Sequence, residues 1–330
     1  MDRLIETLPD EIQANTLPFL LFTPRTNEEL REAVKLWISD ESEALKKYGH
    51  ISYWETQYIT DMSGLFFGAK SFNEPLNWDT KNVTDMSGMF SEAKLFNQPL
   101  NFTSTKNVTN MRYMFSYAES FNQPLNFNTE NVTIMRGMFE FAKSFNQPLN
   151  FNTEKVIDMS NMFFEAKLFN HPLNFNTRKV ETMYMMFMNA KSFNQPLNFT
   201  STKNVTNMRY MFSYAESFNQ PLNFNTEKVT NMSEMFYLAK SFNQPLNFNT
   251  ENVTDMNNMF FSARLFNQPL NFTSTEKVTN MEHMFRSESF NQPLNFNTQN
   301  VTNMSGMFEG ARSFNQPLNF NTQNVTNMSG

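Results

Sequence analysis

The sequence predicts an α/β solenoid in which each repeat supplies one short helix and one short strand, and three observations support that prediction. A unit of about 24 residues recurs eleven times along the 330-residue chain. Each unit spaces apolar residues as one face of a helix does, and then continues into an alternating apolar–polar segment typical of a half-buried strand. Such units bury their apolar residues by stacking, so we expect one elongated body rather than several domains.

The repeats align on a Val or Ile that is followed three residues later by Met. These positions are Ile59, Val83, Val108, Val132, Val156, Val180, Val205, Val229, Val253, Val278, Val301 and Val325. The intervals are 24 residues, apart from three of 25 and one of 23. The segments Phe96–Glu130 and Phe193–Glu227 are identical, so whole blocks of repeats have been copied.

The first part of each unit predicts a helix of two to three turns. In the second unit the apolar positions i, i+3, i+4 and i+7 are Met86, Met89, Phe90 and Ala93. This spacing places the four side chains on one helical face. A threonine and an aspartate stand directly before them, and their oxygens are N-cap candidates for the first turn.

The second part of each unit predicts a short strand. Pro99 disfavours the helical conformation for the residue before it, and the helix should therefore end there. Leu100, Asn101 and Phe102 then alternate apolar, polar and apolar, which indicates a strand with one buried face. The strands of successive repeats are expected to form a parallel ladder.

The two ends of the chain differ from the repeats. Residues 1–57 predict a helical N-terminal cap, with a helix starting at Thr26 and apolar side chains at Leu30, Val34 and Trp37. Residues 58–330 form the repeat region, whose last unit stops at Gly330. We expect an exposed apolar edge there, arising either from truncation or from a surface for end-to-end association.

Composition and charge limit the classes of function. The net charge is −6, which argues against nucleic-acid binding, and no stretch is long and apolar enough to span a membrane. The absence of Cys excludes a disulfide framework and a thiolate nucleophile. The N-terminus does not have the pattern of a signal peptide, so an intracellular location is expected.

The residues of the unit resemble a known family. Val83–Phe90, Ala93, Phe96–Leu100 and Trp78 match the hallmark of the BspA-like leucine-rich-repeat family, in the variant of mycoplasma surface lipoproteins, and residues 22–54 resemble its usual lead-in. The resemblance implies a leucine-rich-repeat-like solenoid that acts in adhesion or protein interaction. It also implies that a surface or virion-associated location is an alternative to the intracellular one.

An asparagine follows the predicted helix in every complete unit, and we interpret this row as structural. A buried Asn at each corner can satisfy backbone groups that a tight turn leaves unpaired. The row consists of Asn73, Asn97, Asn122, Asn146, Asn170, Asn194, Asn219, Asn243, Asn267, Asn291 and Asn315.

The most variable positions lie between the two methionines of each unit, and they are the candidates for contacts with a partner. Tyrosine and arginine are enriched in interface cores. The candidate partner-binding residues are Arg112, Tyr113, Tyr184, Arg209 and Tyr210. The alternative is drift on a solvated surface, which gives the same pattern.

No catalytic, metal-binding or cofactor-binding constellation stands out, and an enzyme is therefore not expected. The three His residues lie far apart without metal-ligand spacing. The sequence favours a non-catalytic scaffold that binds another protein. The alternatives are a structural or adhesion protein and, from the F-box-like opening at residues 8–20, a substrate adaptor of a ubiquitin ligase.

Overall fold

The computed structural model describes residues 21–329, so the F-box-like opening lies outside the described residues. At the N-terminal end of the described residues, α1 spans Asn27–Ser39 and α2 spans Glu41–Tyr48, and a short 3-10 helix follows at Ile51–Tyr53. In the rest of the described chain the repeats consist of turns, joined by isolated parallel β-bridges.

Helix α1 begins where the sequence predicts, whereas residues 1–20 of the predicted cap lie outside the described residues. The side chain of Thr26 accepts a hydrogen bond from the Glu29 N–H and caps α1, whose buried residues include Leu30, Val34 and Trp37. Helix α1 ends at Ser39, and the side chain of Asp40 then caps α2 by accepting a hydrogen bond from the Glu43 N–H.

The helix predicted in each repeat is absent, and consecutive tight turns replace it. In the second repeat Gly88 and Glu92 have φ of 59° and 61°, in the left-handed region that a right-handed helix never uses. The N–H of Met89 donates to the Met86 carbonyl, as in a β-turn with a positive φ at its third residue. A left-handed residue every four positions turns Met86, Met89, Phe90 and Ala93 inward, as a helical face would.

Backbone hydrogen bonds between repeats explain why turns win over a helix. The N–H groups of Met86, Gly88 and Phe90 donate to carbonyls of the next repeat, at 2.8–3.0 Å. The N–H groups between them donate within their own repeat. Both sets are therefore satisfied without the i to i−4 bonds of a helix. The predicted N-cap residue Asp85 instead accepts a bond from the Ser87 N–H, at 2.7 Å.

The predicted parallel β ladder through the Leu-Asn-Phe segments is also absent. Among the described residues these segments form bridges at three junctions, Leu76 to Leu100, Leu173 to Leu197 and Leu246 to Leu270. The more regular bridges run through the position of Asp85, one residue before the first methionine of each repeat. The prediction of a leucine-rich-repeat-like helix–strand solenoid is therefore wrong, because every repeat is built from turns and single bridges.

Two columns of phenylalanine rings run through the core from repeat to repeat. Phe90 and Phe96 are fully buried, and their ring centroids lie 4.1 Å apart. Phe90 stacks on Phe115 of the next repeat at 5.6 Å, and Phe96 stacks on Phe121 at 5.9 Å. Ring pairs of this kind contribute about 0.5–1.5 kcal/mol each beyond the area that they bury.

A column of buried threonines, which the sequence patterns did not reveal, joins the repeats on the opposite side of the core. The hydroxyl of Thr105 donates to the Asn128 carbonyl at 3.0 Å, and that of Thr129 donates to the Asn152 carbonyl at 2.9 Å. Both threonines are at most 3% exposed. Each hydroxyl thereby satisfies a carbonyl of the following repeat, and no apolar residue of the same size could replace it there without cost.

The helical cap covers the first repeat through polar contacts. Arg31 pairs with Asp61 at 3.0 Å, and the side-chain oxygen of Asn27 accepts bonds from the N–H groups of Thr60 and Asp61. At the C-terminal end, where the sequence predicts an exposed apolar edge, Leu318 is 43% exposed.

Candidate functional site

One face of the stack carries the positions that vary most between repeats. In the second repeat it consists of Ser87, Gly88, Ser91 and Glu92, and we call the four columns that continue these positions the variable face. The inward residues between them are Met and Phe in almost every repeat. The turns hold these positions at fixed places while their side chains differ. The serines of the Ser91 column are buried, since Ser91, Ser116 and Ser213 are at most 8% exposed.

The structure places the five candidate partner-binding residues on the variable face, in two separate groups. Arg112 and Tyr113 lie in the third repeat, and the rings of Tyr184 and Tyr210 lie 6.0 Å apart in the sixth and seventh repeats, beside Arg209. Arg112 is exposed and the other four are half-buried. Nothing in these contacts distinguishes a binding surface from a solvated one, so their role stays a prediction.

The first group is held by the repeat that follows it. The Tyr113 ring lies over Gly137, where a Cβ atom would come within 2.3 Å of the ring. The Arg136 Nε donates to the Tyr113 hydroxyl at 2.9 Å. The ring is therefore laid flat along the face and fixed at its outer end.

The second group has the same sequence and a different arrangement. The guanidinium of Arg209 lies 4.5 Å from the centre of the Tyr210 ring, and one of its nitrogens donates to the Tyr210 hydroxyl at 2.9 Å. The same nitrogen approaches the carboxylate of Glu234 at 3.5 Å. Glu234 occupies the position of Gly137, so the flat arrangement of the first group is blocked here.

Two runs of stacked aromatic rings lie beside these groups, and the sequence reasoning did not identify them. Tyr117 stacks on Phe141 at 4.2 Å, and Phe141 meets the edge of Phe164 at 4.8 Å. An equivalent run starts four repeats later, where Tyr214 contacts Tyr237 at 5.3 Å. An alignment of the repeats could have revealed these runs, because aromatic residues occur in these columns only in certain repeats.

Bulky residues on the variable face adopt a backbone conformation that favours glycine. Tyr113, Tyr117 and Phe141 have φ of 55–56°. Gly88 and Gly137 fill the position of Tyr113 in neighbouring repeats, and Gly68 and Gly310 fill the position of Tyr117 and Phe141 in the first and last complete repeats. For an L-residue this region costs roughly 1–2 kcal/mol. Strain that is retained in a structure concentrates at functional sites. These tyrosines and the phenylalanine are therefore candidates for residues kept for function.

Carboxylates surround the first aromatic run. Burial raises the pKa of Tyr117, and the nearby carboxylates of Glu140, Glu92 and Glu165 raise it further. Burial also raises the pKa of Glu140, against the effect of its hydrogen bond from Asn161. Glu165 accepts a bond from the Asn189 amide and lies 3.4 Å from Lys167. The Tyr117 ring therefore lies in a partly desolvated environment with negatively charged groups around it.

The asparagine row forms a continuous ladder of side-chain to backbone bonds. The Oδ1 atom of each Asn accepts from the backbone N–H of the next, for example from Asn97 to Asn73 at 2.8 Å and from Asn122 to Asn97 at 2.9 Å. The side chains are half-buried or exposed rather than buried, because they lie at the corner of each turn. Gln123 adds to the ladder by donating to the Asn97 carbonyl at 3.1 Å.

A column of Lys and Arg borders the variable face, and glutamates pair with it in two repeats. Glu119 contacts Lys94 at 3.0 Å and Lys143 at 2.8 Å, and Glu216 pairs in the same way with Lys191 and Lys240. Hydrogen bonds from Lys143 and Lys94 lower the pKa of Glu119. These ion pairs reduce the positive charge that the column offers to an anionic ligand.

The described part of the chain contains no group of three His, Asp or Glu residues placed to hold a metal ion. Within residues 21–329, no helix has the length and apolar character required to cross a bilayer. A cleft of about 360 Å³ is lined by residues 197–202 and 223–225. The variable face therefore remains the main candidate for a functional site.

The comparison with protein families identifies the repeats. A family described as Mycoplasma protein of unknown function, DUF285, matches residues 38–151, 124–223, 149–247, 222–296 and 273–330. The chain belongs to the DUF285 family. Its tandem repeats account for the five overlapping matches, and the family description assigns no activity. No curated protein and no solved structure matches the chain.

Proposed function

We propose that this DUF285 protein is a non-catalytic scaffold that binds another protein through its variable face. The observation that carries the proposal is the retention of large aromatic side chains at left-handed positions, where other repeats have glycine. A solvated surface gains nothing from Tyr113, Tyr117 or Phe141 at that cost in stability. An interface gains buried aromatic area, which is the main source of binding energy at contact hot spots.

The arrangement of the repeats supports the same proposal. Stacked repeats present an extended surface whose outward residues vary independently of the core. Here the core columns stay Met and Phe while the outward columns change to Tyr, Arg, Glu and Met. Tyr, Met and Arg are enriched in the central parts of interfaces.

The test is capture of partners by a variant whose face has been reduced to glycine. Tyr113→Gly, Tyr117→Gly and Phe141→Gly, combined with Tyr210→Gly and Tyr214→Gly, place the residue that suits each positive φ. We expect this variant to fold at least as stably as the unmodified chain and to lose the captured proteins, measured by quantitative mass spectrometry of pull-downs from the native source.

A matched control changes a different exposed column. Leu95, Leu168 and Leu265 are 54–57% exposed, and most other repeats have Ser at their position. The triple Leu→Ser variant should retain the captured proteins. Loss of capture in this control, with retention in the glycine variant, would transfer the binding role from the variable face to the leucine column.

The alternative function is that of a structural or adhesion protein of the cell surface or virion, which the resemblance to BspA-like repeats of mycoplasma lipoproteins suggests. In that case the ligand would be extracellular, and the chain without modification should bind intact cells or matrix components rather than proteins of its own cytoplasm. The intracellular location and the absence of enzymatic activity are parts of the main proposal.

A further inference from the structure

We infer that the part of the variable face around Tyr117 binds a segment of the partner that carries arginine or lysine side chains. The inference rests on the proposed function and specifies the chemistry of the partner. The site, which we call the Tyr117 cluster, consists of Tyr117, Phe141, Glu92, Glu140 and Glu165.

The order of residues along one column builds the cluster. Glu92, Tyr117, Phe141 and Glu165 occupy the same outward position in four successive repeats. The two stacked rings, 4.2 Å apart, therefore lie between two carboxylates. Glu140 stands in the adjacent column, and its backbone carbonyl accepts the Tyr117 N–H at 2.7 Å. The Tyr117 side chain is 38% exposed, so an incoming group can reach the ring.

The charges of the cluster are only partly balanced by the cations around it. Glu165 lies 3.4 Å from Lys167, whereas among the described residues Glu92 and Glu140 form no ion pair. Lys94 and Lys143, on the bordering column, are both engaged by Glu119. Arg136 bonds to Tyr113 and approaches Asp158 at 3.9 Å. A carboxylate that is partly desolvated and unpaired gains from a cation brought by a ligand.

Elsewhere on the same chain, arginine guanidinium groups lie over aromatic rings. Arg209 lies over Tyr210 at 4.5 Å, and Arg286 lies over Phe261 at 4.7 Å. Within residues 21–329 no Lys or Arg lies over Tyr117 or Phe141 in this way. A guanidinium or ammonium of a partner can occupy this face by the same cation–π contact, with the glutamates around it as counter-charges.

The second aromatic run provides an internal control, because its tyrosine comes from an identical sequence block. Tyr214 stands in the position of Tyr117, and the residues that correspond to the three glutamates are Asn189, Tyr237 and Ser262. This run keeps the aromatic surface and lacks all three carboxylates. It should therefore bind apolar groups but not select a cation.

The test uses a labelled peptide of alternating Arg and Ala, and a Glu–Ala peptide of the same length, with fluorescence anisotropy as the readout. The unmodified chain should bind the Arg peptide and not the Glu peptide. Glu92→Gln, Glu140→Gln and Glu165→Gln together should weaken binding of the Arg peptide by about tenfold or more. Tyr117→Gly should weaken it by a similar factor, and Tyr214→Gly should weaken it by less than about threefold, because the run of Tyr214 lacks the three carboxylates.

A charge-matched control separates this site from general attraction to an acidic protein. Glu227→Gln, Glu251→Gln and Glu276→Gln change the net charge by the same amount at exposed positions outside the variable face. This control should bind the Arg peptide as the unmodified chain does.

Equal losses in the two triple variants, or equal effects of Tyr117→Gly and Tyr214→Gly, would overturn the inference. Preferential binding of the Glu peptide would also overturn it. None of these results touches the proposed function, which fails only if the glycine variant keeps its captured proteins. The two failures are therefore distinguishable.

Discussion

The segments Phe96–Glu130 and Phe193–Glu227 have the same sequence, yet their half-buried tyrosines on the variable face make different contacts. Tyr113 lies flat over Gly137 and bonds to Arg136, whereas Tyr210 lies under Arg209, next to Glu234. The inward residues of the two blocks are equally buried. The comparison shows that identical repeats bury the same inward side chains, whereas the conformation of their outer side chains depends on the residues of the following repeat.

The largest expected effect tests whether the cores of the two blocks are equivalent. Phe115→Ala and Phe212→Ala each remove a fully buried ring that contacts rings of both neighbouring repeats. We expect each to destabilise the chain by about 3–5 kcal/mol, through lost burial and a residual cavity. Urea denaturation measures the effect, and amide hydrogen exchange shows which repeats open. A clear difference between the two variants would show that the cores are not equivalent.

The next effect tests the contact that makes the first block distinctive. Gly137→Ala places a Cβ within 2.3 Å of the Tyr113 ring, in addition to the strain of a φ of 59°. Gly88→Ala has the same φ, and its Cβ meets only an ordinary contact at 3.8 Å. We expect a loss of about 1 kcal/mol for Gly88→Ala and about 2 kcal/mol for Gly137→Ala, in thermal denaturation.

The difference between these two glycine variants should disappear when Tyr113 is removed. In a Tyr113→Gly background, Gly137→Ala retains the backbone strain and a 3.0 Å contact with the Glu140 carboxylate, the far end of a flexible side chain that can move away. If the excess cost persisted in that background, the ring would not be its cause.

A smaller effect compares two buried serines of the copied blocks. Ser116 lies beside the carboxylate of Glu140 and acts to lower the pKa of that group, whereas the Ser213 hydroxyl is fully buried without a partner among the described residues, because Tyr237 replaces the glutamate. Ser116→Ala should cost about 1–2 kcal/mol, and Ser213→Ala should be neutral or stabilising. Chemical denaturation of the two variants side by side measures the difference. A cost for Ser213→Ala equal to that for Ser116→Ala would mean that the Ser213 hydroxyl has a partner in solution.

The smallest effect should be the same in both blocks and should depend on pH. Hydrogen bonds from two lysines lower the pKa of both Glu119 and Glu216 in the folded chain. Their contribution to stability is therefore present above the unfolded pKa of about 4.3 and is lost as the pH falls through the folded pKa. Glu119→Gln and Glu216→Gln should each cost up to about 1 kcal/mol at pH 7. The cost should vanish at about pH 2, where both glutamates are protonated.

The spacing of Met86, Met89 and Phe90 predicted correctly which side chains face the core but not the backbone that turns them inward. Positions i, i+3, i+4 and i+7 fit a helix, and they fit equally a chain that reverses every four residues. The Thr26 cap was predicted correctly because capping depends on a few adjacent residues. The aromatic run at Tyr117 was missed because its members lie in different repeats and meet only when the repeats stack.

The sequence by itself determined the period of the chain, its membership of a tandem-repeat family and the set of inward residues, since these follow from regular spacing. Only the tertiary structure decided between turns and helices, because the N–H groups of Met86 and Gly88 find their acceptors in the next repeat. The tertiary structure also determines the different arrangements of Tyr113 and Tyr210, because Gly137 leaves room for the Tyr113 ring and Glu234 occupies that place beside Tyr210. Both decisions depend on contacts between residues about 24 positions apart, which local preference does not encode.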